Sequence, residues 1–485
     1  MFDREIDAKV KAWIEENRQE IIDLWLELAR IPSVVSEPEE GAPYGKDAKK
    51  ALDYCADMFA KYGFPTRIGE DTYALSTYGE GKKSIGLFGH ADVVPGGDGW
   101  IHTAPFEPVI IEDTMIGRGV SDDKSGIMLA LGVLRMFKEL SLPLKSKLIS
   151  VVGSAEEVGS PDMAAFVKNE PLPDFSVTPD AGFPCAVGEK GIYRFYVSPE
   201  KPFECIKSFF GGDAINVVVD KTVIELDKLD GLVSELQSKL KNRTDITLTE
   251  STDSVTLTAR GISAHVSAPQ NGVNSNKLIA ELLKGVHALS DSDREGFAAM
   301  DKLLSDHTGE IFGINFSDPT FGALTIGNGT GKMAGGNIEL GFNVRYGVGE
   351  TGEWLEKQTE KAFASFGWPV VRSDNRPAFV LDGSCTLPLD LAALYNEMTG
   401  KNSKPYTMGG KTYATPLNLA GDCTQAIGIG TCIGTPASDG KAGLEMPKGH
   451  GGAHAPDEKI WIPGFFDAMH LLVQYVLTID EYLNR

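Results

Sequence analysis

Three strongly apolar segments each run directly into acidic or imidazole side chains, and this pattern limits what the chain can fold into. The segments read SIGLFGHAD (84–92), KLISVVGSAEE (147–157) and FSVTPD (175–180). Near-continuous apolar runs that alternate with helical segments are typical of strands buried on both faces of a parallel sheet. The carboxyl ends of such strands form the edge at which open α/β sheets bind ligands. We therefore expect the polar groups that follow these strands to lie together.

The rest of the chain shows two patterns of apolar and polar residues. Apolar residues at helical spacing predict helices in the first part over 5–31, 47–62 and 125–140, and an extended segment over 67–76. From about Glu189 to Asp382, polar and apolar residues alternate, as in DSVTLTAR and NIELGFNVRYGV, which is typical of antiparallel strands with one solvated face. We predict an α/β fold: a mainly parallel, doubly wound domain at 1–188 and 383–485, with an α+β domain inserted at 189–382.

Composition excludes several classes of partner. The 485 residues carry a formal net charge of −22, which disfavours nucleic acid because phosphate binding needs a basic surface. No run approaches the roughly 18 apolar residues of a membrane helix, and the charged N-terminus lacks a signal core. The six cysteines have no CxxC spacing, which favours reduced thiols. We expect a cytoplasmic protein that binds neither membrane nor nucleic acid.

The acidic groups at the predicted sheet edge favour metal binding. Clustered carboxylates repel one another and lose hydration unless a cation is present. A set of His, Asp and Glu without thiolates suits zinc, with manganese or cobalt as alternatives. Two cations about 3.5–4 Å apart, bridged by one carboxylate, would activate a water for hydrolysis. Glu156 and Glu157 are adjacent, so in an extended segment one would face the metal and the other the substrate.

Four motifs carry a resemblance to a known family. GHADVVP, GRGVSDDKSG, SAEEVGS and GAHAPDE resemble, in order and spacing, the motif series of the dizinc metallopeptidase family of aminoacylase, carnosinase and carboxypeptidase G. The segment TPDAGFPCAVGEKG (178–191) is similar to the bacterial dipeptidase V branch, which comprises the Xaa-His and β-alanyl dipeptidases. The resemblance extends from the N-terminal helix to the end of the chain.

The resemblance implies a role for each residue that matches a family motif. It implies five metal ligands: His90 and Asp180 on the first ion, Asp122 between the two ions, and Glu157 and His454 on the second ion. It implies that Asp92 orients His90, that Glu156 is the general base, and that the Asp122–Asp123 peptide is cis. His450, in the same loop as His454, is a rival ligand, but the sequence HAPDE favours His454.

The resemblance also implies that 1–188 and 383–485 form the catalytic domain and that the insert at 189–382 is a lid domain that binds substrate. The resemblance implies that His265 stabilises the oxyanion, that Asn216 lies near the scissile carbonyl, and that Arg345 pairs with the substrate carboxylate. The backbone of GGKTYA (409–414), including Gly410 and Thr412, would bind the carboxylate end. The insert is as long as in the dipeptidase V branch, where it replaces a partner subunit. We therefore expect a monomer in which His265 acts within its own chain.

The function expected from the resemblance is hydrolysis of dipeptides with a free carboxylate. A hydroxide held between two divalent ions, most simply Zn²⁺, would attack the peptide, with Glu156 as general base. An N-acyl-amino-acid deacylase of the same family is the nearest alternative, since it would share every ligand. A non-catalytic binding protein with this fold is a further alternative, but the presence of all five ligands together with Glu156 and His265 argues against it.

Overall fold

The computed structural model describes residues 4–421, 425–439 and 443–485. The helices, in chain order, are α1 Arg4–Ala29, α2 Lys46–Lys61, α3 Lys124–Glu139, α4 Pro161–Asn169, α5 Leu232–Leu240, α6 Ser275–Leu283, α7 Asp291–Leu303, α8 Gly352–Ser365, α9 Leu387–Thr399, α10 Ala414–Leu419 and α11 Ile462–Leu483, with short 3-10 helices at Pro269–Asn271 and Pro436–Asp439. The strands are β1 Thr66–Gly69, β2 Tyr73–Tyr78, β3 Ser84–His90, β4 Val109–Ile111, β5 Thr114–Ile116, β6 Lys147–Gly153, β7 Phe175–Thr178, β8 Ala186–Glu189, β9 Gly191–Val197, β10 Ile206–Gly211, β11 Lys221–Asp227, β12 Ile246–Glu250, β13 Ser254–Arg260, β14 Ser317–Asp318, β15 Gly322–Ala323, β16 Thr325–Ala334, β17 Asn337–Tyr346, β18 Val370–Arg376, β19 Phe379–Val380, β20 Tyr406–Met408, β21 Gln425–Gly428 and β22 Lys459–Trp461.

The chain divides into two compact units. The first comprises Met1–Gly188, Val380–Tyr406 and Lys411–Arg485, and the second comprises Glu189–Phe379 and Thr407–Gly410. The division predicted from the sequence differs at two segments. Residues 380–382, predicted in the insert, belong to the first unit, and Thr407–Gly410, predicted in the first domain, belong to the second. In consequence, two residues of the expected GGKTYA loop belong to different units, Gly410 to the second and Thr412 to the first.

The first unit is built on a sheet whose centre is parallel. Its strand order is β1-β2-β6-β3-β7-β21-β8-β19, and β20 also pairs with β8. β3 pairs in parallel with β6 and β7, and β7 pairs in parallel with β21. All residues of β3 after its first are buried, as expected for a strand covered on both faces. A second, three-stranded sheet has the order β22-β5-β4. The predicted α/β fold class is confirmed.

The extended segment predicted over 67–76 is a hairpin rather than a single strand. β1 and β2 pair in antiparallel fashion across the turn that contains Glu70 and Asp71. Both turn residues have left-handed backbone conformations, with φ of 47° and 57°. A hydrogen bond from Thr72 N to Gly69 O at 2.9 Å closes the turn, so Gly69 was a signal for a reversal that the apolar pattern on both sides obscured.

The closing helix α11 lies in the core of the first unit. It is long and apolar enough to cross a membrane by composition, but 78% of its apolar window is buried inside the protein. Trp25 of α1 packs against Phe465 with ring centroids 4.3 Å apart. Gly132 of α3 allows close packing, because a Cβ there would lie 2.5 Å from Met469 Sδ. Burial against α1 and α3 therefore accounts for the apolar composition of α11.

The second unit is an antiparallel sheet covered by helices. The strand order is β12-β13-β11-β10-β16-β17-β9-β18, with antiparallel pairing throughout the described strands. Buried residues alternate along β11, so that this strand has one core face and one more exposed face. The core combines these strands with apolar residues of α5 to α8, among them Phe297 and Phe363. This is the α+β architecture expected for the insert.

The described cysteines are not cross-linked. Cys55, Cys185, Cys205, Cys385 and Cys432 are all free thiols, whereas Cys423 lies outside the described residues. Burial raises the pKa of the Cys55 thiol to about 12, so that this side chain is unreactive at neutral pH.

Candidate metal centre

The residues that follow β3, β6 and β7 arise at one edge of the first unit's sheet. The parallel pairing of β3 with both neighbours directs the carboxyl ends of the three strands to the same side. His90 ends β3 and lies opposite Gly153 at the end of β6. Glu157 follows β6 and Asp180 follows β7 by a few residues each. The strand directions thus place an imidazole and two carboxylates at this edge, as the sequence predicted.

Asp122 links two groups of side chains that the sequence predicted as metal ligands. Its Oδ1 lies 3.2 Å from His90 Nε2, which is 3.9 Å from Asp180 Oδ2. Its Oδ2 lies 3.1 Å from His454 Nε2, which is also 3.1 Å from Glu157 Oε1. Within each group the ligand atoms lie within 4.8 Å of one another. The structure therefore brings all five residues together in two sets that share Asp122.

The donor atoms fit divalent cations of the zinc type. Imidazole nitrogen and carboxylate oxygen bind zinc at about 2.0–2.2 Å, so two donors at a tetrahedral angle lie about 3.4 Å apart. The nitrogen–oxygen separations of 3.1 to 3.9 Å include that value. A donor set of imidazole and carboxylate also suits manganese or cobalt. The chemistry and spacing of these side chains are those of a two-cation site.

Without a bound cation, carboxylates outnumber the positively charged groups at this edge. Burial, reinforced by the nearby Asp122 carboxylate, raises the pKa of Asp180 well above its usual value. Burial and the adjacent Glu157 carboxylate likewise raise the pKa of Glu156. Burial also opposes ionisation of Asp122, but hydrogen bonds from the two imidazoles outweigh it and lower the pKa of this carboxyl. A divalent cation removes the repulsion that disfavours the charged carboxylates.

Asp92 supports the loop that carries the two glutamates. Its Oδ1 accepts a hydrogen bond from Glu156 N at 3.0 Å, and its Oδ2 accepts one from Glu157 N at 3.1 Å. The ring of His90 lies closer to the Asp92 carbonyl oxygen (Nδ1 at 2.9 Å) than to its carboxylate (3.5 Å). A carbonyl can only accept, so Nδ1 carries the proton and Nε2 faces Asp122 as a ligand. Asp92 thus contacts the His90 ring chiefly through its backbone carbonyl.

The loop around His454 contains further groups with defined partners. His450 Nδ1 lies 2.6 Å from Asp457 Oδ2, and His450 belongs to neither ligand group. Glu458 is fully buried and accepts hydrogen bonds from Ser121 N at 2.9 Å and Asp122 N at 3.1 Å. The other oxygen of Glu458 accepts from Arg118 Nη1 at 2.7 Å and from Gly119 N at 3.1 Å.

Glu458 therefore holds the backbone of the shared ligand. No role was expected for this residue, although its position in the HAPDE segment with His454 was a signal that could have identified it. Asp123 acts on the other side of the same segment. Its carboxylate caps α3 at Gly126 N and accepts from His90 N at 3.3 Å. The Asp122–Asp123 peptide is cis.

The remaining predicted residues in the second unit lie on its loops and on β17. His265 forms an isolated β-bridge with Val217, and its Nδ1 lies 2.7 Å from Ser267 Oγ. Asn216 is adjacent, because its carbonyl oxygen accepts a hydrogen bond from Val266 N at 3.0 Å. The structure thus places these two predicted residues on neighbouring segments.

Arg345 is 3% exposed and hydrogen-bonded to neutral acceptors. Its Nε donates to Asn343 Oδ1 at 3.0 Å, and its Nη1 donates to Gly409 O at 2.7 Å. No carboxylate of the described residues lies within 4 Å of the guanidinium, an arrangement that would accommodate an anion from outside. Burial, with the nearby charges of Arg194 and Arg376, lowers the pKa of Arg345 to about 10, so the group stays protonated at neutral pH.

The side chain of Thr412, which belongs to the first unit, forms hydrogen bonds within the protein. Its hydroxyl is buried, lies 3.1 Å from Thr178 Oγ1 and accepts a hydrogen bond from Ala414 N. A role of Thr412 in binding a ligand would therefore fall to its backbone.

Comparison with known proteins identifies the family. The family described as peptidase family M20/M25/M40 matches residues 86–478. The chain belongs to peptidase family M20/M25/M40. As a member of this family it is a hydrolase, and the resemblance drawn from its motifs is confirmed at the level of the family.

Individual relatives of this M20-family chain have similar lengths. A protein from Staphylococcus aureus (strain bovine RF122 / ET3-1), provisionally named a dipeptidase, is 28% identical over 425 residues, which cover 84% of this chain and 90% of the relative. The di-peptidase Dug1p from Saccharomyces cerevisiae has a TM-score of 0.60 at 16% identity and covers 98% of both chains. Human carnosine dipeptidase 1 has a TM-score of 0.59 at 14% identity and covers 98% of this chain and 99% of its own. The two structures show that this fold is shared.

Substitutions of the ligand groups should remove cations selectively. Asp122→Asn should remove both, because its two oxygens face different groups, whereas Asp180→Asn and Glu157→Gln should each remove one. Zinc bound per chain after equilibrium dialysis, measured by elemental analysis, should therefore fall from about two to about zero, one and one.

Asp174→Asn is the matched control for this series. Asp174 precedes β7, at the opposite end of the strand from Asp180, and binds Ser84 N and Lys83 Nζ. Its substitution should leave both cations bound. Retention of both by Asp122→Asn would contradict the shared-ligand arrangement.

Proposed function

We propose that the chain is a cytoplasmic dipeptidase that uses two divalent cations, Zn²⁺ in the first instance, to hydrolyse dipeptides with a free carboxylate. The observation that carries this proposal is the shared position of Asp122 between two His/carboxylate groups, with Glu156 beside them. The dipeptidase names of the Staphylococcus relative and of the two structural neighbours support the substrate class.

Each proposed metal ligand of the first unit has a distinct task in the reaction. His90 and Asp180 would hold one cation, Glu157 and His454 the other, and Asp122 both. When bound, the cations act as Lewis acids that polarise the peptide carbonyl and lower the pKa of water. The ligand side chains would hold the cations next to the end of β3.

Glu156 is the proposed general base. No hydrogen-bond donor among the described residues reaches its carboxylate, and burial followed by the Glu157 charge raises its pKa, which makes it a stronger base. It takes a proton from the attacking water and passes it to the leaving amine. Asp92 keeps this side chain oriented through the Glu156 amide.

The second unit is proposed to recognise the substrate. Arg345 would form a bidentate pair with the substrate carboxylate, which supplies the charged partner that its present acceptors, Asn343 and Gly409, do not. His265 would stabilise the oxyanion, held through Nδ1 by Ser267. Asn216 would bind near the scissile carbonyl, and the backbone of Gly410 and Thr412 would bind near the carboxylate end.

Loss of the Glu156 carboxylate should stop turnover while the cations remain bound. Glu156→Gln keeps the shape of the side chain but cannot accept a proton, so kcat should fall about 10²–10⁴-fold. Bound zinc per chain should not change. Glu139→Gln, a partly exposed substitution on α3, should match the unsubstituted protein in both measurements. A Glu156→Gln protein with full turnover would refute the base assignment.

Substrate choice should depend on the free carboxylate and on Arg345. The loaded enzyme should cleave dipeptides faster than tripeptides, C-terminally amidated dipeptides or N-acetyl amino acids. Arg345→Gln should raise KM for dipeptides by about tenfold or more, because it removes a charged hydrogen-bond pair, and should leave the amidated peptides unaffected. Arg372→Gln is the control, since that residue pairs with Glu339 on the same sheet. Faster cleavage of N-acetyl amino acids than of dipeptides would favour the deacylase.

We further propose that the active species is a monomer in which His265 acts within its own chain. Sedimentation velocity at the assay concentration should give a single species of about 52.2 kDa, the mass of one chain. Mixing an inactive Glu156→Gln chain with an inactive His265→Ala chain should restore no turnover. An obligate active dimer, or recovery of turnover on mixing, would contradict this proposal.

A further inference from the structure

Four consecutive backbone amides after β6 are held by two buried carboxylates. Asp92 accepts from Glu156 N and Glu157 N, as described above. Asp162, in the first turn of α4, accepts from Ser154 N at 2.7 Å and from Ala155 N at 2.8 Å through the same oxygen, Oδ2. Every amide from 154 to 157 thus ends on an aspartate, and the segment that carries the proposed base and a proposed ligand has a defined backbone.

Tyr413 completes the second of these anchors. Its hydroxyl donates to Asp162 Oδ2 at 2.5 Å, and the residue is 2% exposed. Its ring and that of His90 are nearly perpendicular, with centroids 6.1 Å apart. The remaining oxygen of Asp162 accepts from Met163 N at 2.8 Å. One hydroxyl and three amides therefore satisfy a carboxylate that is fully buried.

The absence of a side chain at the end of β6 leaves room for the hydrogen bond between Asp162 and Tyr413. A Cβ on Gly153, the last residue of β6, would lie 1.9 Å from the Tyr413 hydroxyl and 2.3 Å from Asp162 Oδ2. Any side chain at this position would displace the hydrogen bond. Glycine is therefore required here by close approach, directly before the segment that carries Glu156 and Glu157.

We propose that Asp162 and Tyr413 are positioning residues for Glu156 and Glu157. The inference rests on the proposed function for the role of Glu156, and on the ligand group for the role of Glu157. The orientation of two adjacent side chains follows from the backbone between them, and that backbone is fixed by the four amides. If one oxygen of Asp162 becomes an NH2 group, that group faces either Met163 N or the three donors that now share Oδ2, so at least one donor loses its acceptor and the segment from 154 to 157 shifts. The effect reaches both the proton transfer and the cation that Glu157 would bind.

Two substitutions test this role at different severity. Tyr413→Phe removes one hydroxyl and keeps the ring against His90, whereas Asp162→Asn replaces an acceptor oxygen by an amide donor. For each protein, zinc is titrated against a chromophoric competitor and dipeptide kinetics are measured. We expect one of the two zinc affinities to fall about tenfold, and kcat to fall about tenfold with KM within about twofold, because supporting residues of metal ligands act at this scale. Tyr413→Phe decides the outcome if Asp162→Asn does not fold.

The same unit offers matched controls. Asp480 is a buried aspartate that likewise accepts from two consecutive amides, Lys145 N at 3.0 Å and Ser146 N at 2.7 Å. Tyr475 is a buried tyrosine that donates to Pro184 O at 3.0 Å. Asp480→Asn and Tyr475→Phe should lower the thermal midpoint by a similar amount, but should leave both zinc affinities and kcat unchanged.

The two readouts separate this inference from the proposed function. Zinc titration needs no substrate, so it tests the positioning role even if the unsubstituted protein cleaves no dipeptide. Unchanged zinc affinities in Asp162→Asn and Tyr413→Phe would overturn the inference, whatever the enzyme hydrolyses. An equal loss in the Asp480→Asn and Tyr475→Phe controls would overturn it too, because it would mean that the pair acts only through stability.

Discussion

The structure of the first unit depends on how it accommodates negative charge at the carboxyl edge of its parallel strands. Two kinds of acid lie there. One kind is fully buried and satisfied by backbone amides, and its members are Asp92, Asp123, Asp162 and Glu458. The other kind retains some exposure and faces other side chains, as Asp122 (16% exposed) and Asp180 (19%) do. Amides that point at a carboxylate stabilise its charge and offset part of the cost of burial, although burial still raises the pKa of Asp162 to about 6. Among the described residues no backbone amide donates to the second kind, whose carboxylates face the imidazoles of His90 and His454, and a bound cation would offset their charge.

This division explains why the framework uses acids rather than amides. A carboxylate offers two acceptor oxygens, and Asp92 uses one for each of two successive amides. An asparagine would offer one acceptor and one donor and would leave an amide unsatisfied in a buried site. Glu458 likewise uses both of its oxygens: one accepts from the backbone amide of Asp122 and the other from the guanidinium of Arg118. The framework acids therefore link the segments that hold the ligands, although the segments are far apart in the chain.

The sequence predicted the ligands better than it predicted this framework. His90 and Asp180 could be placed from strand direction alone, and the family motifs added Asp122 and His454. The framework contacts join residues such as Asp162 and Tyr413, which are 251 positions apart, and no local pattern states which amide a distant carboxylate will reach. The hairpin turn at 70–71 is a different case, because Gly69 was a local signal for it and the segment was nevertheless interpreted as one strand. Periodicity reports burial and direction, whereas hydrogen-bond partners follow from tertiary packing.

The two kinds of acid also influence each other. The framework carboxylates lie close enough for their charges to act on the ligand cluster: after burial, the charge of Asp92 is among the causes that raise the pKa of Glu156. An arrangement that fixes the backbone by means of buried carboxylates thereby increases the basicity of the groups it positions. The same negative charge would favour a proton on Glu156 and would attract a cation to the nearby ligands. Backbone geometry and local electrostatics at this edge are therefore linked, because the same buried carboxylates contribute to both.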